Sequence, residues 1–322
     1  MNRNALAALA LLTSIVVATG AGAQSFPMKP VRIIVPFSSG TAADIVARQL
    51  GPRLAEAWGH GVVIENQGGA GGVLGASAVA KATPDGHTLL MMGINNVINP
   101  SLYKDMPYDT MRDLKAVVRV AVAPLAIVAN PSLPANSIAE LIALAKAKPN
   151  AIVYGSGGNG SVTHLSLELL KLKAGIDMTH VPYKGVAQMM TDLLGNQIPL
   201  ASPALASALG QAKAGKLKVL AVTSAKRSSA LPDSPTVAEA GFADFDVSAW
   251  NGLVAPARTP DDVVAKIYTD VVKIARAQEF IEVLHKQAMD LDLLNPGEFQ
   301  SYLAAELAKW AQLVRASGAK ID

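Results

Sequence analysis

The sequence predicts an α/β protein of two lobes, each a mainly parallel sheet flanked by helices, joined by two crossover strands. Three observations carry that prediction. From Phe26 onward short apolar runs alternate with longer helical stretches, the pattern of parallel strands covered by helices. Two strand–turn–helix units rich in glycine and hydroxyl residues recur, one near the start and one at mid-chain. Two long apolar runs, Val117–Ala129 and Val247–Ala255, stand where the chain would pass between lobes. The expected division is 26–123 plus 246–322 for the first, discontinuous lobe and 124–245 for the second.

Residues 1–23 read as a secretory leader. Arg3 is the positive head, Ala5 to Ala18 the apolar stretch, and Ala21-Gly22-Ala23 the small-residue cleavage site. That stretch is short for a membrane span, which needs about 20 apolar residues. The chain has no cysteine, so disulfides, thiolate metal sites and a cysteine nucleophile are excluded. An exported chain without cysteine suits a bacterial periplasm, the expected location after cleavage near Ala23. Of the 322 residues, 51% are hydrophobic, enough for two cores. The formal net charge is +3 with lysines and arginines dispersed, which argues against nucleic acid as a partner.

Val31–Val35 reads as the first strand and Ala43–Trp58 as a helix with Ile45, Val46, Leu50, Leu54 and Trp58 on one side. Val62–Glu65 is the next strand, followed by the turn Asn66–Gly72 and a helix over Val73–Ala82. Thr88–Met92 is a third strand, ending in Gly93-Ile94-Asn95-Asn96. Ser137–Lys148 reads as a helix with Ser137 as N-cap and Glu140 completing a capping box. Ala151–Tyr154, Met178–Pro182 and Lys218–Thr223 read as strands; Gly185–Leu194 and, briefly, Thr236–Ala240 as helices. Asp261–Lys286 and Pro296–Ser317 close the chain as helices.

The chemistry is expected at the two turns. The stretch from Tyr154 through Gly155, Ser156, Gly157, Gly158, Asn159, Gly160, Ser161, Val162 and Thr163 to His164 precedes a helix. Glycines let its backbone approach a ligand, and the helix offers free N–H groups at the positive end of its dipole. Phe37-Ser38-Ser39-Gly40-Thr41-Ala42-Ala43-Asp44 is a weaker copy. Neither turn contains lysine or arginine, so an anion would be held by amides and hydroxyls, and a carboxylate fits as well as a phosphate. Asp44, in the first helical turn, reads as a helix cap near the site.

Other chemistries fit less well. Gly155-Ser156-Gly157-Gly158-Asn159-Gly160 matches the dinucleotide spacing, but Asp177 precedes the next apolar run where a ribose-binding acid should follow it. No cofactor is expected. A phosphate-binding loop with its lysine is absent, and Tyr154 replaces the first glycine of a nucleophile elbow before Ser156. The five histidines show no metal-ligand spacing, so no metal site and no catalytic residues are expected. An exported serine hydrolase is the alternative, and no histidine–acid arrangement accompanies Ser39 or Ser156 in sequence.

Several stretches in order resemble the solute-binding proteins of tripartite tricarboxylate transporters, the Bug family. These are Lys29 to Phe37 with Asp44 and Ala47-Arg48, then Ala80 to Leu90, Asn99 to Tyr103, Tyr154 to Leu165 and His180 to Gly185. Leu231 to Gly241 and Trp250 to Pro256 complete the series. The resemblance covers nearly all of the chain beyond residue 23. It implies a periplasmic-binding-protein-like clamp that closes on a small di-, tri- or aromatic carboxylate and delivers it to membrane permease subunits. A sensor kinase is the other partner it implies, and a monomer is expected. Mapped onto this chain, the implied ligand contacts are Phe37, Ser39, Thr41, Ala42, Ala43 and Asn95, then Ser156, Asn159, Ser161, Val162 and Thr163, with Tyr183 and Ser202 on the walls. Two departures bear on specificity: Thr41 replaces a usual glycine, and Pro199 stands where the family often has aspartate. Losing that acid removes the mate of an ammonium group and favours an aromatic acid over an amino acid.

Overall fold

The computed structural model describes residues 26–319; the leader expected at 1–23 lies outside the described residues. The first sheet contains β1 (Val31–Val35), β2 (Val62–Asn66), β3 (Thr88–Gly93), β4 (Leu114–Pro124), β10 (Ser248–Pro256) and β11 (Asp290–Leu294). Its order is β11-β4-β10-β3-β1-β2. The second sheet contains β5 (Ala126–Ala129), β6 (Val153–Ser156), β7 (Thr179–Pro182), β8 (Leu200–Ala201) and β9 (Lys218–Val222), in the order β7-β6-β8-β5-β9.

Both sheets are mixed. The strands that lead into the two turns are parallel to their neighbours: β1 with β2 and β3, and β6 with β7 and β8. The strands near the crossings, β4, β5, β9, β10 and β11, make antiparallel pairs. The expectation of mainly parallel sheets therefore describes the turn-bearing halves and not the crossings, where the chain must run out of one sheet and back.

Helices cover the sheets because their apolar residues recur at helical spacing. In α1 (Ala42–Trp58), Val46, Leu50, Leu54 and Trp58 stand four apart and are buried. They pack with α9 (Asp261–Ala275) and α10 (Gln278–Lys286) on one face of the first sheet. The other face carries α2 (Val73–Ala80), α3 (Asn95–Leu102) and the 22-residue α11 (Pro296–Ser317), while the one-turn α4 (Thr110–Asp113) leads into β4. In the second sheet α5 (Ile138–Ala147) and α6 (Val162–Ala174) cover one face, with α7 (Val186–Leu194) and α8 (Leu205–Lys213) on the other. α11 packs on α3, β4 and α6. Its buried Trp310, Leu313 and Val314 make one continuous apolar core from the first sheet into the second.

Beyond the β4–β10 ladder, one side chain bridges the crossings. Thr223, fully buried, takes the Leu125 N–H at 3.0 Å and donates from the same hydroxyl toward Val247 O at 2.6 Å. Val247 N–H returns a bond to Thr223 O at 2.8 Å.

Local differences from the sequence reading have local causes. The run Val117–Ala129 divides at Leu125 into β4 and β5, because the strand changes sheets there. Asp261–Lys286 breaks at Arg276-Ala277, where Ala277 is extended and starts the next helix. Thr236–Ala240 is a bridge and turn closed by Glu239 on the Thr236 N–H. Ser137 does cap α5 through the Glu140 N–H, but the Glu140 carboxylate reaches the Asn136 N–H instead of closing the box. The full capping box lies at Asn295 and Glu298, opening α11.

Candidate functional site

In the first turn the organising group is Asp44, third residue of α1 and buried. Its carboxylate accepts the Gly40 N–H at 2.9 Å, Ser39 Oγ at 3.1 Å, Arg48 Nε at 2.9 Å and Asn66 Nδ2 at 2.9 Å. Burial pushes its pKa up, but those donors outweigh burial and hold the carboxyl well below the usual carboxylate range. Its stabilisation is therefore present above pH 3.8 and is lost as pH falls through the folded value. Asp44 faces its own donors, so its charge is answered inside the turn. The Thr41 hydroxyl donates to Ser38 O at 3.0 Å and is likewise spent locally. Asp44→Ala is expected to lower stability by about 2 kcal/mol, the scale of hydrogen bonds to a charged group, read by urea unfolding. A midpoint equal to the parent's would show that the carboxylate does not hold the turn.

What remains unpaired in this turn is backbone. The N–H groups of Ala42 and Ala43 have no partner among the described residues. These are the orphan donors of a 17-residue helix.

The second turn has the same plan with different parts. Gly157 N–H donates to Thr163 Oγ1 at 2.9 Å, Thr163 and Ser161 hydroxyls meet at 2.8 Å, and Ser161 Oγ donates to Gly158 O at 2.7 Å. With Ser161's one proton on Gly158 O, Thr163 is the donor to Ser161, and the chain runs in one direction around the turn. The N–H groups of Val162 and Thr163 have no partner among the described residues. Ser202, fully buried, also has a hydroxyl with no partner among the described residues. The β6–β8 register pairs Gly155 with Ala201, which sets Ser202 next to Ser156 at the carboxyl end of the sheet.

Behind the turn lies a cluster that sequence spacing did not reveal. Ser156 Oγ is 2.7 Å from His180 Nε2, and Gly160 N–H donates to His164 Nδ1 at 3.2 Å. The two imidazoles stack at 3.8 Å, with Tyr154 stacked on His180 at 5.0 Å. Register explains this, since β6 and β7 pair Tyr154 with His180. Burial, then the charge of its neighbour His164, pushes the His180 pKa down to about 4. Ser156 is inaccessible, and no carboxylate hydrogen-bonds His180 among the described residues, so the pair lacks the third member and the exposure a nucleophile needs.

α3 connects the two turns. At its start Asn96 takes the Gly93 N–H at 3.1 Å, and Gly72 sits against the Phe37 ring and Asn96. At its end Leu102 meets Gly160, where a Cβ would lie 2.9 Å from two Leu102 methyls and φ is +71°. Only glycine fits there. An eight-residue helix is about 12 Å long, so the turns flank one short element.

The other expected contacts are dispersed around this frame. Asn95 opens α3 beside the buried Asn96, which makes the structural bonds. Asn159 is exposed and lines a cavity with His164, His180 and the end of α11. Tyr183 donates to Asp192 Oδ2 at 2.8 Å, and burial with that partner pushes its hydroxyl up to about 12. A larger cavity, about 610 Å³, lies along the crossings and is lined by residues that include Arg119, Pro124, Lys226, Ser248, Asp290 and Tyr302. Arg119 pairs with Asp292 and Asp290 accepts from Ser228 and Ser229 there, and neither turn reaches it. Among the described residues no His, Cys, Asp or Glu cluster suits a metal, and no helix is long and apolar enough to cross a membrane.

Two α/β halves joined by crossing strands, each presenting a helix N-terminus from the carboxyl end of its sheet, define a two-lobed solute-binding protein. The family model for the tripartite tricarboxylate transporter family receptor matches residues 46–319, and the chain belongs to that family of periplasmic binding proteins. It is 33% identical over 307 residues to protein BugT of Bordetella pertussis, covering 95% of this chain and 94% of BugT. Among solved structures it is similar to R. palustris Rpa4515 with adipate, at TM-score 0.75 and 34% identity over 92% of this chain and all of that one. MatC from Rhodopseudomonas palustris with bound malate follows at TM-score 0.70 and 29% identity, over 90% of this chain and all of that one.

Proposed function

We propose that this protein captures a small dicarboxylate between its two turns and delivers it to the membrane subunits of a tripartite tricarboxylate transporter. The observation that carries the reading is the set of unpaired donors at the two turns: the N–H groups of Ala42, Ala43, Val162 and Thr163, with the Ser202 hydroxyl. Two helix N-termini with no lysine or arginine between them suit carboxylates, which accept several hydrogen bonds per group. Adipate in Rpa4515 and malate in MatC support the class. Phe37 and Tyr183 would supply apolar wall to the ligand body, and Ser39, Thr41, Ser156, Ser161 and Thr163 would shape the turns. Asn95 and Asn159 would stand at the rim. Closure follows because a ligand touching both lobes favours the state in which both contacts are made. The Ser156–His180 pair serves the turn's structure, and the reading assigns no catalysis.

The test is a thermal-shift screen of adipate, malate, citrate, benzoate and aspartate. At ligand 100-fold above its Kd, stability should rise by about 2.7 kcal/mol. An aliphatic dicarboxylate giving the largest shift is the expected result. A shift with citrate or benzoate and none with adipate or malate would overturn it.

A further inference from the structure

The second turn leans on an imidazole that works only as an acceptor. His164, the third residue of α6, points its Nδ1 at the Gly160 N–H, 3.2 Å away. Its Nε2 faces Glu168 Oε1 at 3.8 Å. Those two neighbours fix the tautomer: the proton sits on Nε2 and the lone pair on Nδ1. A proton added at Nδ1 would set two donors against each other across that contact. It would also place a cation 3.8 Å, ring to ring, from His180.

We infer that His164 is a positioning residue for the carboxylate-binding turn, and that ligand affinity falls as His164 takes up a proton. The inference rests on the reading of this turn as a carboxylate site. Gly160 carries the bend that brings Val162 and Thr163 forward, and it is wedged on Leu102 of α3. Releasing its N–H frees the bend, and with it the aim of the two unpaired amides and the contact to α3.

The surroundings do not rescue the cation. From β6, Tyr154 stacks on both rings, and its hydroxyl bonds the same Glu168 Oε1 that the Lys171 ammonium holds at 2.7 Å. Glu168 therefore has two closer partners than His164. From the end of α11 and the two residues after it the cluster meets Ser317, Gly318 and Ala319, none of them titratable. The remaining neighbour is His180, whose own protonation would add a like charge. Burial, against the attraction of Glu168, holds the His164 pKa below the ordinary histidine value. The neutral state is thus the resting state at neutral pH, and the change falls on the acid side of 6.5.

Two variants separate the roles. His164→Asn keeps an acceptor near the Nδ1 position and cannot titrate; His164→Leu has no acceptor. The first readout is the free protein, followed by amide and imidazole NMR from pH 7.5 to 4.5. The Gly160 amide is expected to shift with the His164 ring, with a midpoint below 6.5, and to stay put in His164→Asn. The second is calorimetric titration with adipate and with malate at pH 7 and pH 5. Wild type should lose at least about tenfold more affinity than His164→Asn over that interval, while His164→Leu binds weakly at both. Protonation of the ligand is common to all three proteins, so the difference isolates the imidazole. A Gly160 amide that ignores the His164 titration, or equal pH dependence in wild type and His164→Asn, overturns the inference. If wild type binds neither acid at pH 7, the functional reading fails for these ligands, and the NMR titration alone judges the turn.

Discussion

Replacing Ala42 or Val162 by proline is expected to weaken dicarboxylate binding by about 10- to 100-fold each, with the fold intact. Both residues are the first of their helices, α1 and α6. Proline is accommodated at that position because its missing N–H is an orphan anyway and its fixed φ suits a helix start. The preceding residues already hold the extended conformation proline demands: Thr41 at φ −73° and ψ 162°, Ser161 at φ −66° and ψ 155°. The substitution therefore deletes one donor and little else. A hydrogen bond to a charged group contributes about 1.5–3 kcal/mol, and each 1.4 kcal/mol is tenfold in affinity. Gln278→Pro, at the equivalent position of α10 and remote from both turns, is the control and should bind as the parent does. Calorimetric titration with adipate and malate gives the affinities, and thermal unfolding verifies the fold. Parental affinity in both turn variants would remove the helix termini from the site.

The parts of the site legible in the sequence were those whose chemistry is local. Gly160 and the hydroxyls of Ser161 and Thr163 announce a turn and a capped helix, because a few adjacent residues decide them. Asp44 could be placed at a helix start for the same reason, though its four partners come from Ser39, Gly40, Arg48 and Asn66, the last 22 residues away. What was not legible depends on register. His164 and His180 lie 16 apart, and only the pairing of Tyr154 with His180 puts one ring over the other. β8 is two residues long and β11 has an intermediate burial pattern, so neither carries an apolar period to read. α3 is not legible either, because Pro100 lies inside it, where propensity argues against a helix and packing with α11 overrides it.

The largest loss of stability is expected from a single methyl group, in Gly252→Ala. Gly252 lies in β10, beside a register shift where that strand pairs with β4. A Cβ there would lie 2.6 and 2.7 Å from two carbons of the Phe299 ring and 2.7 Å from Val118 O. Phe299 is fully buried and stacks edge-on against Trp250 at 5.4 Å, so it has little room to retreat. The carbonyl belongs to β4 and cannot move without opening the ladder. Overpacking of this kind costs about 1–3 kcal/mol where side chains can give, and the backbone contact places this position at the top of that range or above. Phe299→Leu in the same chain should recover part of the loss, since it relieves the ring and leaves the carbonyl; the two substitutions would then be non-additive, as contacting residues are. The damage should extend to binding. Phe299 is part of α11, the helix that packs on α3 and α6 and so spans the two elements bearing on the second turn. Displacing its start shifts how the lobes meet. Urea unfolding of the single and double variants, with adipate titration on those that fold, tests both statements. A Gly252→Ala protein as stable as its parent would mean that β4 and β10 separate more easily than their pairing implies, and the crossing would have to be regarded as a soft hinge.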